Sequence, residues 1–271
     1  MLTLSLCASS PLLARFRFGS PSLQTESGAV YSGDAAIAQL ATLTDGLRVL
    51  LMVPGFNNST ANADASFRTI EQNLVARKML GPDAPYQVVI GLLWPGRTAA
   101  GYWLAEGSAR RAADKLREIV AKLRPAALSI EAHSLGNLVT LHANRDGALG
   151  IKDLILCNAA VDDEAPEKTQ AYCWAVASIK GKCLIVYSHR DEVLGRDYRW
   201  LGSVPRDVWS WIKTKTNAGG FGDVALGFGG PQHGTALIPA NAIALDATAW
   251  CPNHGAARSA PELYDAWRAI L

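Results

Sequence analysis

The segment Ala132-His133-Ser134-Leu135-Gly136 sets a serine between two small residues, each two positions away. That spacing is the G-x-S-x-G pattern with alanine in place of the first glycine. In that pattern a sharp strand-to-helix turn lifts a serine hydroxyl above a sheet, and bulky neighbours would collide with it. A serine held this way attacks an acyl carbon when three kinds of partner are present. A histidine takes its proton, a carboxylate fixes the histidine's tautomer, and backbone N–H groups hold the developing oxyanion. The other use of a serine at such a place is to cap the following helix. The pentapeptide alone is a weak signal, so its partners decide between the two readings.

In the strand–turn–helix arrangement the acid and then the histidine follow the serine in the chain. His254, in "CPNHGAA", lies between the last strand-like run and a C-terminal helical pattern, where a loop can carry imidazole over the serine. His233, in "GPQHG", precedes the last strand-like run and is the second candidate. Asp191 closely follows the run "KCLIVYSH" and is the first candidate for the acid; its plainer role is a surface pair with Arg190 or Arg196. Asp162 and Asp163, after "KDLILCNAA", compete for the same role. Two N–H groups are expected for the oxyanion, from Leu135 just after the serine and from Phe56 in Pro54-Gly55-Phe56-Asn57. Gly55 would let that loop approach closely. His133 is expected to point away from Ser134 and to pack beside the sheet. The histidines show no H-x-x-x-H spacing, so neither a metal nor another cofactor is expected.

The elements that must position these groups are legible as short apolar runs at 48–53, 86–94, 127–132, 152–160, 182–189 and 242–249. Most are apolar on both alternating faces, as in parallel strands covered on both sides. Helical spacing recurs between them at 62–79, 106–123, 136–145 and 165–176. "SAPELYDAWRAIL" predicts a last helix with Ser259 as N-cap, Pro261 in the first turn and Glu262 completing a capping box. The alternation gives an α/β fold, a mainly parallel central sheet flanked by helices, with chemistry beyond the carboxyl ends of the strands. Residues 192–240, rich in Trp and Gly, form an irregular insertion in what is otherwise one domain over 1–271. The period-2 patterns "LTLSL" and "RFRF" near the N-terminus read as strands rather than as a signal peptide.

Composition narrows the function classes. With 271 residues, 49% apolar and 18% charged, the chain can bury a large core. A net charge of +2 gives no reason to expect nucleic acid or anionic membrane as a partner. No stretch approaches the roughly 18 apolar residues of a spanning helix. The five cysteines are odd in number and widely spaced, without CxxC, although the Cys173–Cys183 spacing allows a bridge. A reducing, cytoplasmic setting is the expectation. Composition says nothing of oligomeric state.

Taken together, Val53-Pro54-Gly55-Phe56-Asn57, Trp94-Pro95, Ala132 to Gly136, and Tyr187 to Leu194 with Asp191 at the acid position resemble the α/β-hydrolase superfamily. Within it they are most similar to a little-characterised bacterial group with V-H-G-[FY]-N, W-P, G-H-S-[ML]-G and Y-x-S-x-x-D-x-[AV]-L motifs. The resemblance covers about residues 48–271 and departs from the group at Pro54, which replaces histidine, and at Ala132. It implies an α/β-hydrolase fold with a small or absent cap. The expected function is a serine hydrolase, carboxylesterase- or lipase-like, acting through Ser134, Asp191 and His254, with a small or medium acyl ester as its substrate. Thioesterase, amidase or acyltransferase use of the same triad, and a non-catalytic binding protein on the same fold, are the alternatives.

Overall fold

A computed structural model describes residues 13–17, 21–25, 27–56, 60–94, 102–197 and 224–271. Its nine described strands form one sheet in the order β3-β2-β1-β5-β4-β6-β7-β8-β9. The strands are β1 (Leu13–Arg17), β2 (Ser22–Gln24), β3 (Val30–Ser32), β4 (Arg48–Val53), β5 (Val88–Leu93), β6 (Ala127–His133), β7 (Leu154–Cys157), β8 (Cys183–Tyr187) and β9 (Ala242–Asp246). From β1 to β9 every neighbouring pair is parallel; only β2 and β3 add antiparallel strands at one edge. The mainly parallel sheet expected from the double-sided apolar runs is present.

Two apolar layers cover the sheet. Val49, Leu51 and Val53 of β4 and Leu128, Ile130 and Ala132 of β6 face α1 (Gly33–Thr44), α3 (Tyr102–Val120), α4 (Gly136–Ala143) and α5 (Cys173–Ala177). Leu50 and Met52 of β4 face α2 (Thr60–Ala76) and α7 (Pro261–Ile270) on the other side. This is the period-2 alternation of a strand buried on both faces. β6 departs from it: on the α2 side it carries Ser129, Glu131 and His133, all buried. A strand this polar at the centre of a sheet must find partners for each of those groups.

The chain runs from β4 outward to β5, then returns to place β6 on the other side of β4. The strand order therefore reverses between β4 and β6, and the ends of two strands at such a switch point are where open parallel sheets place ligands.

Several expectations need correction. α1 and the β2–β3 hairpin were not foreseen. Residues 165–176 form only the short α5, at 173–177. The last helix is capped by Ala260 rather than Ser259, and no side chain caps it. Ser259 already belongs to a 3₁₀ turn, where its hydroxyl donates to Ala256 O at 3.3 Å. Cys173 and Cys183 are free thiols, so the bridge that their spacing allows is not formed. "LTLSL", Asn57, Pro95 and, within the insertion, Trp200, Trp209, Trp211 and Phe221 lie outside the described residues. Of the aromatics in that insertion, Phe228 is described. It sits in the short α6 (Leu226–Gly229), against Leu194 and the His189 ring.

Candidate active site

β6 ends at His133, and the next residue, Ser134, has φ +52°. A non-glycine residue in the left-handed region is uncommon and is held there by its surroundings. Here the Ser134 N–H donates to Cys157 O at 3.0 Å, and its carbonyl accepts from the Ala160 and Asn137 N–H groups. The buried Asn137 side chain adds donors to Ser134 O at 2.9 Å and Cys157 O at 3.0 Å. α4 begins two residues later. Its N-cap is Leu135, with no side-chain cap bond. The capping role considered for Ser134 is therefore not the one its hydroxyl plays.

Ser134 Oγ instead lies 2.8 Å from His254 Nε2. The opposite ring nitrogen, Nδ1, lies 2.7 Å from Asp191 Oδ2. Ser134 follows β6, Asp191 lies four residues past β8, and His254 lies in the segment between β9 and α7. Three strand ends thus bring together the three residues singled out in the sequence. With a carboxylate at Nδ1, that nitrogen carries the proton and Nε2 turns its lone pair toward the hydroxyl. Asp162 and Asp163 sit on the segment that pairs with residues 224–225. His233 pairs with the buried Glu167, its Nδ1 2.7 Å from Oε2 and its N–H bonded to Oε1 at 2.8 Å.

The loop after β4 closes over the serine. A Cβ added to Gly55 would stand 2.7 Å from Ser134 Cβ and 3.2 Å from its Oγ. The Trp94 indole N–H donates to Pro54 O at 2.7 Å and fixes this loop from the end of β5. Phe56, half-buried, packs on the α1–α3–α4 layer. The Leu135 N–H donates to no protein acceptor among the described residues. Gly136 abuts the same loop: a Cβ there would lie 2.5 Å from Pro54 O and 2.7 Å from Val53 O, backbone atoms that cannot swing aside. Gly136→Ala is therefore expected to cost about 1–3 kcal/mol by overpacking. Urea unfolding reads this, and an unchanged midpoint would count against so close an approach. Ala132, fully buried at the other small position, lies in the layer that β6 shares with α3 and α4.

His133 has a partner that the sequence did not indicate. Its Nε2 lies 2.8 Å from His254 O, and the two rings are 4.8 Å apart. Since a carbonyl only accepts, Nε2–H is the donor. Burial, and after it repulsion between protonated His133 and its neighbours His254 and Arg258, holds His133 well below the usual imidazole range, so it serves as a neutral strut for the His254 backbone.

Three further supports were not singled out from sequence. Asn158, one residue past β7, donates from Nδ2 to Asp191 Oδ2 at 2.8 Å. Leu194 N–H donates to Asp191 Oδ1 at 3.0 Å. Ser188 Oγ donates to Cys251 O at 2.7 Å and ties the β8 end to the His254 segment. Burial pushes the Cys251 thiol up, which keeps it neutral beside the carboxylate.

Among the described residues no group of three or more His, Cys, Asp or Glu is placed to hold a metal ion, and no helix is long and apolar enough to cross a membrane.

Comparison with solved structures finds several similar chains. The product of the gene lin2722 of Listeria innocua is 11% identical with a TM-score of 0.45, covering 83% of this chain and 94% of that one. A "predicted CIB-like hydrolase" of Thermoplasma acidophilum is 12% identical with a TM-score of 0.45, covering 95% of both chains. The esterase Pf2001 of Pyrococcus furiosus is 11% identical with a TM-score of 0.42, covering 94% of this chain and 90% of that one. No curated protein matches the chain. A family profile described as an alpha/beta hydrolase of unknown function matches residues 33–206, from α1 through Asp191 and beyond. The chain belongs to that alpha/beta hydrolase family, DUF900.

Proposed function

We propose that the protein is a serine hydrolase that cleaves a small carboxylic ester through Ser134, His254 and Asp191. One observation carries this reading. The hydroxyl of a serine in the left-handed conformation, the imidazole and a buried carboxylate lie in one relay, with contacts of 2.8 and 2.7 Å. A binding protein has no use for a serine held in a strained turn at hydrogen-bond distance from a histidine already oriented by a carboxylate.

In this mechanism His254 Nε2 takes the Ser134 proton as Oγ attacks the acyl carbon. The Leu135 and Phe56 amides hold the oxyanion, and the Asp191 carboxylate stabilises the imidazolium. His254 then protonates the leaving alcohol. Water, deprotonated by the same nitrogen, releases the acid from the acyl-enzyme.

The test is labelling with a fluorophosphonate followed by peptide mapping, beside turnover of a short-chain p-nitrophenyl ester. The label is expected on Ser134, and Ser134→Ala is expected to lose about 10⁴- to 10⁶-fold in turnover. Folded protein that takes no label and hydrolyses no ester would return the reading to a binding protein. Thioesters, amides and alcohol acceptors share the first step, so parallel assays with a thioester, an anilide and an added alcohol identify the acyl group's source and destination.

A further inference from the structure

We propose that Asn158 is a positioning residue for this triad, fixing the Asp191 carboxylate in the orientation that meets His254. The inference rests on the serine-hydrolase reading above and goes one step beyond it.

Asn158 is fully buried and has φ +44°. Asparagine tolerates the left-handed region better than most residues. Its backbone is held from both sides. The Asn158 N–H donates to Val186 O of β8 at 3.0 Å. The next carbonyl, Ala159 O, accepts from the Gly227 N–H of α6 at 2.9 Å. Gly227 backs onto this peptide so closely that a Cβ there would lie 2.5 Å from Asn158 Cα. With the backbone locked, the side chain is aimed across the ends of β7 and β8 at Asp191. Its other neighbour is Cys251 Sγ, at 3.9 Å, a weak contact that leaves the carboxylate as the main partner.

The terminal torsion of an aspartate is broad and roughly two-fold, so one hydrogen bond does not set the carboxylate plane. Three donors from three segments do. Leu194 N–H holds Oδ1, while Asn158 Nδ2–H and His254 Nδ1–H share Oδ2. Of these, Leu194 sits on a five-residue π-helical turn at the head of the insertion, and His254 must move charge during the reaction. Asn158 is the donor anchored in the sheet. It is also neutral, so it orients the carboxylate without adding a cation that would compete with the imidazolium.

Two substitutions test this. Asn158→Gly removes the donor and keeps the left-handed tolerance; Asn158→Ala removes it too, with some backbone strain. The rate of Ser134 labelling by fluorophosphonate is split into probe affinity and the maximal rate of bond formation. Hydrogen bonds to charged groups are worth about 1.5–3 kcal/mol, so both variants are expected to lose about 10- to 100-fold in the maximal rate. Probe affinity should stay unchanged. Wild-type rates in Asn158→Gly would overturn the proposal and leave the serine-hydrolase reading intact. Absence of label on Ser134 in the wild type would overturn both. Should neither variant fold, the wild type still decides. On phosphonylation of Ser134, which charges His254, the Asn158 side-chain amide protons are expected to shift in the ¹H–¹⁵N spectrum. Unmoved resonances would overturn the proposal.

Discussion

Asp191→Asn should fold normally yet lose about 10⁴-fold in the rate at which Ser134 turns over an ester or takes a fluorophosphonate, the scale known for the equivalent change in other serine triads. The reason lies in the donor count. The Asp191 carboxylate accepts from His254 Nδ1, Asn158 Nδ2 and Leu194 N, and has no donor of its own to satisfy. An amide of the same shape brings two N–H groups into a ring of donors. If its oxygen stays at the Oδ2 position, its NH₂ faces the Leu194 N–H, and the negative charge that stabilises an imidazolium is gone. If the amide turns over, its NH₂ faces Asn158 Nδ2 and His254 Nδ1. The imidazole then has to carry its proton on Nε2, pointing at Ser134 Oγ, and the base is lost. In both orientations at least one buried donor is unsatisfied, at about 1–3 kcal/mol each, too little to unfold a domain with this much core. Thermal melting and labelling together separate the outcomes. Near-normal labelling by a folded Asp191→Asn protein, with loss instead in Asp162→Asn or Asp163→Asn, would move the acid to the segment after β7.

The same donor ring shows where sequence reading stops. Ser134, Asp191 and His254 were legible because each follows an apolar run long enough to recognise as a strand, and chain order constrains the rest. Gly55 was legible for a similar reason, and the added-Cβ clash with Ser134 gives its physical content. Asn158 was not. It is one polar residue past a four-residue strand, and its role depends on a backbone conformation and on Gly227, about seventy residues downstream, neither of which leaves a local pattern. The partner of His133 was not legible because period-2 alternation assigns the residue a face of the sheet without saying what lies there; the His254 segment lies there. The hairpin β2–β3 has three-residue strands, too short for a period to register. In α1 the bulky apolar residues buried by the helix are Ile37 and Leu40, in an alanine- and threonine-rich stretch with little contrast between faces. Ser259 failed as a cap for a tertiary reason. The 3₁₀ turn that contains it is anchored through Arg258, so local capping preference yields to a buried ion pair.

That ion pair carries the largest expected effect on stability. Glu131, buried in the centre of β6, receives Arg258 through two parallel bonds, Nε to Oε1 at 2.7 Å and Nη2 to Oε2 at 2.6 Å. The side chains are 1% and 6% exposed, so neither charge has water to fall back on. Arg258 lies four residues beyond His254, and the Tyr264 hydroxyl caps its carbonyl at 2.6 Å, so the pair clamps the histidine segment to the strand that ends in Ser134. Arg258→Met leaves the carboxylate uncompensated beneath the site. The expected loss is about 3–5 kcal/mol, a fall in Tm on the order of 10 °C. Replacing both partners by Glu131→Met and Arg258→Met removes the stranded charge and should recover most of that stability, since a buried pair and an apolar substitute of similar volume differ little. A single-variant loss below about 1 kcal/mol would mean the pair behaves as if solvated, against its burial. The double variant also asks what the pair is for. His254 keeps its other two holds, the His133 strut and the Asp191 carboxylate. If those suffice, the double variant labels Ser134 at the wild-type rate and the pair is a matter of stability alone. If labelling stays slow in a protein whose melting temperature has recovered, the ion pair sets the reach of His254 to the serine. The polar face of β6 would then exist to aim the histidine.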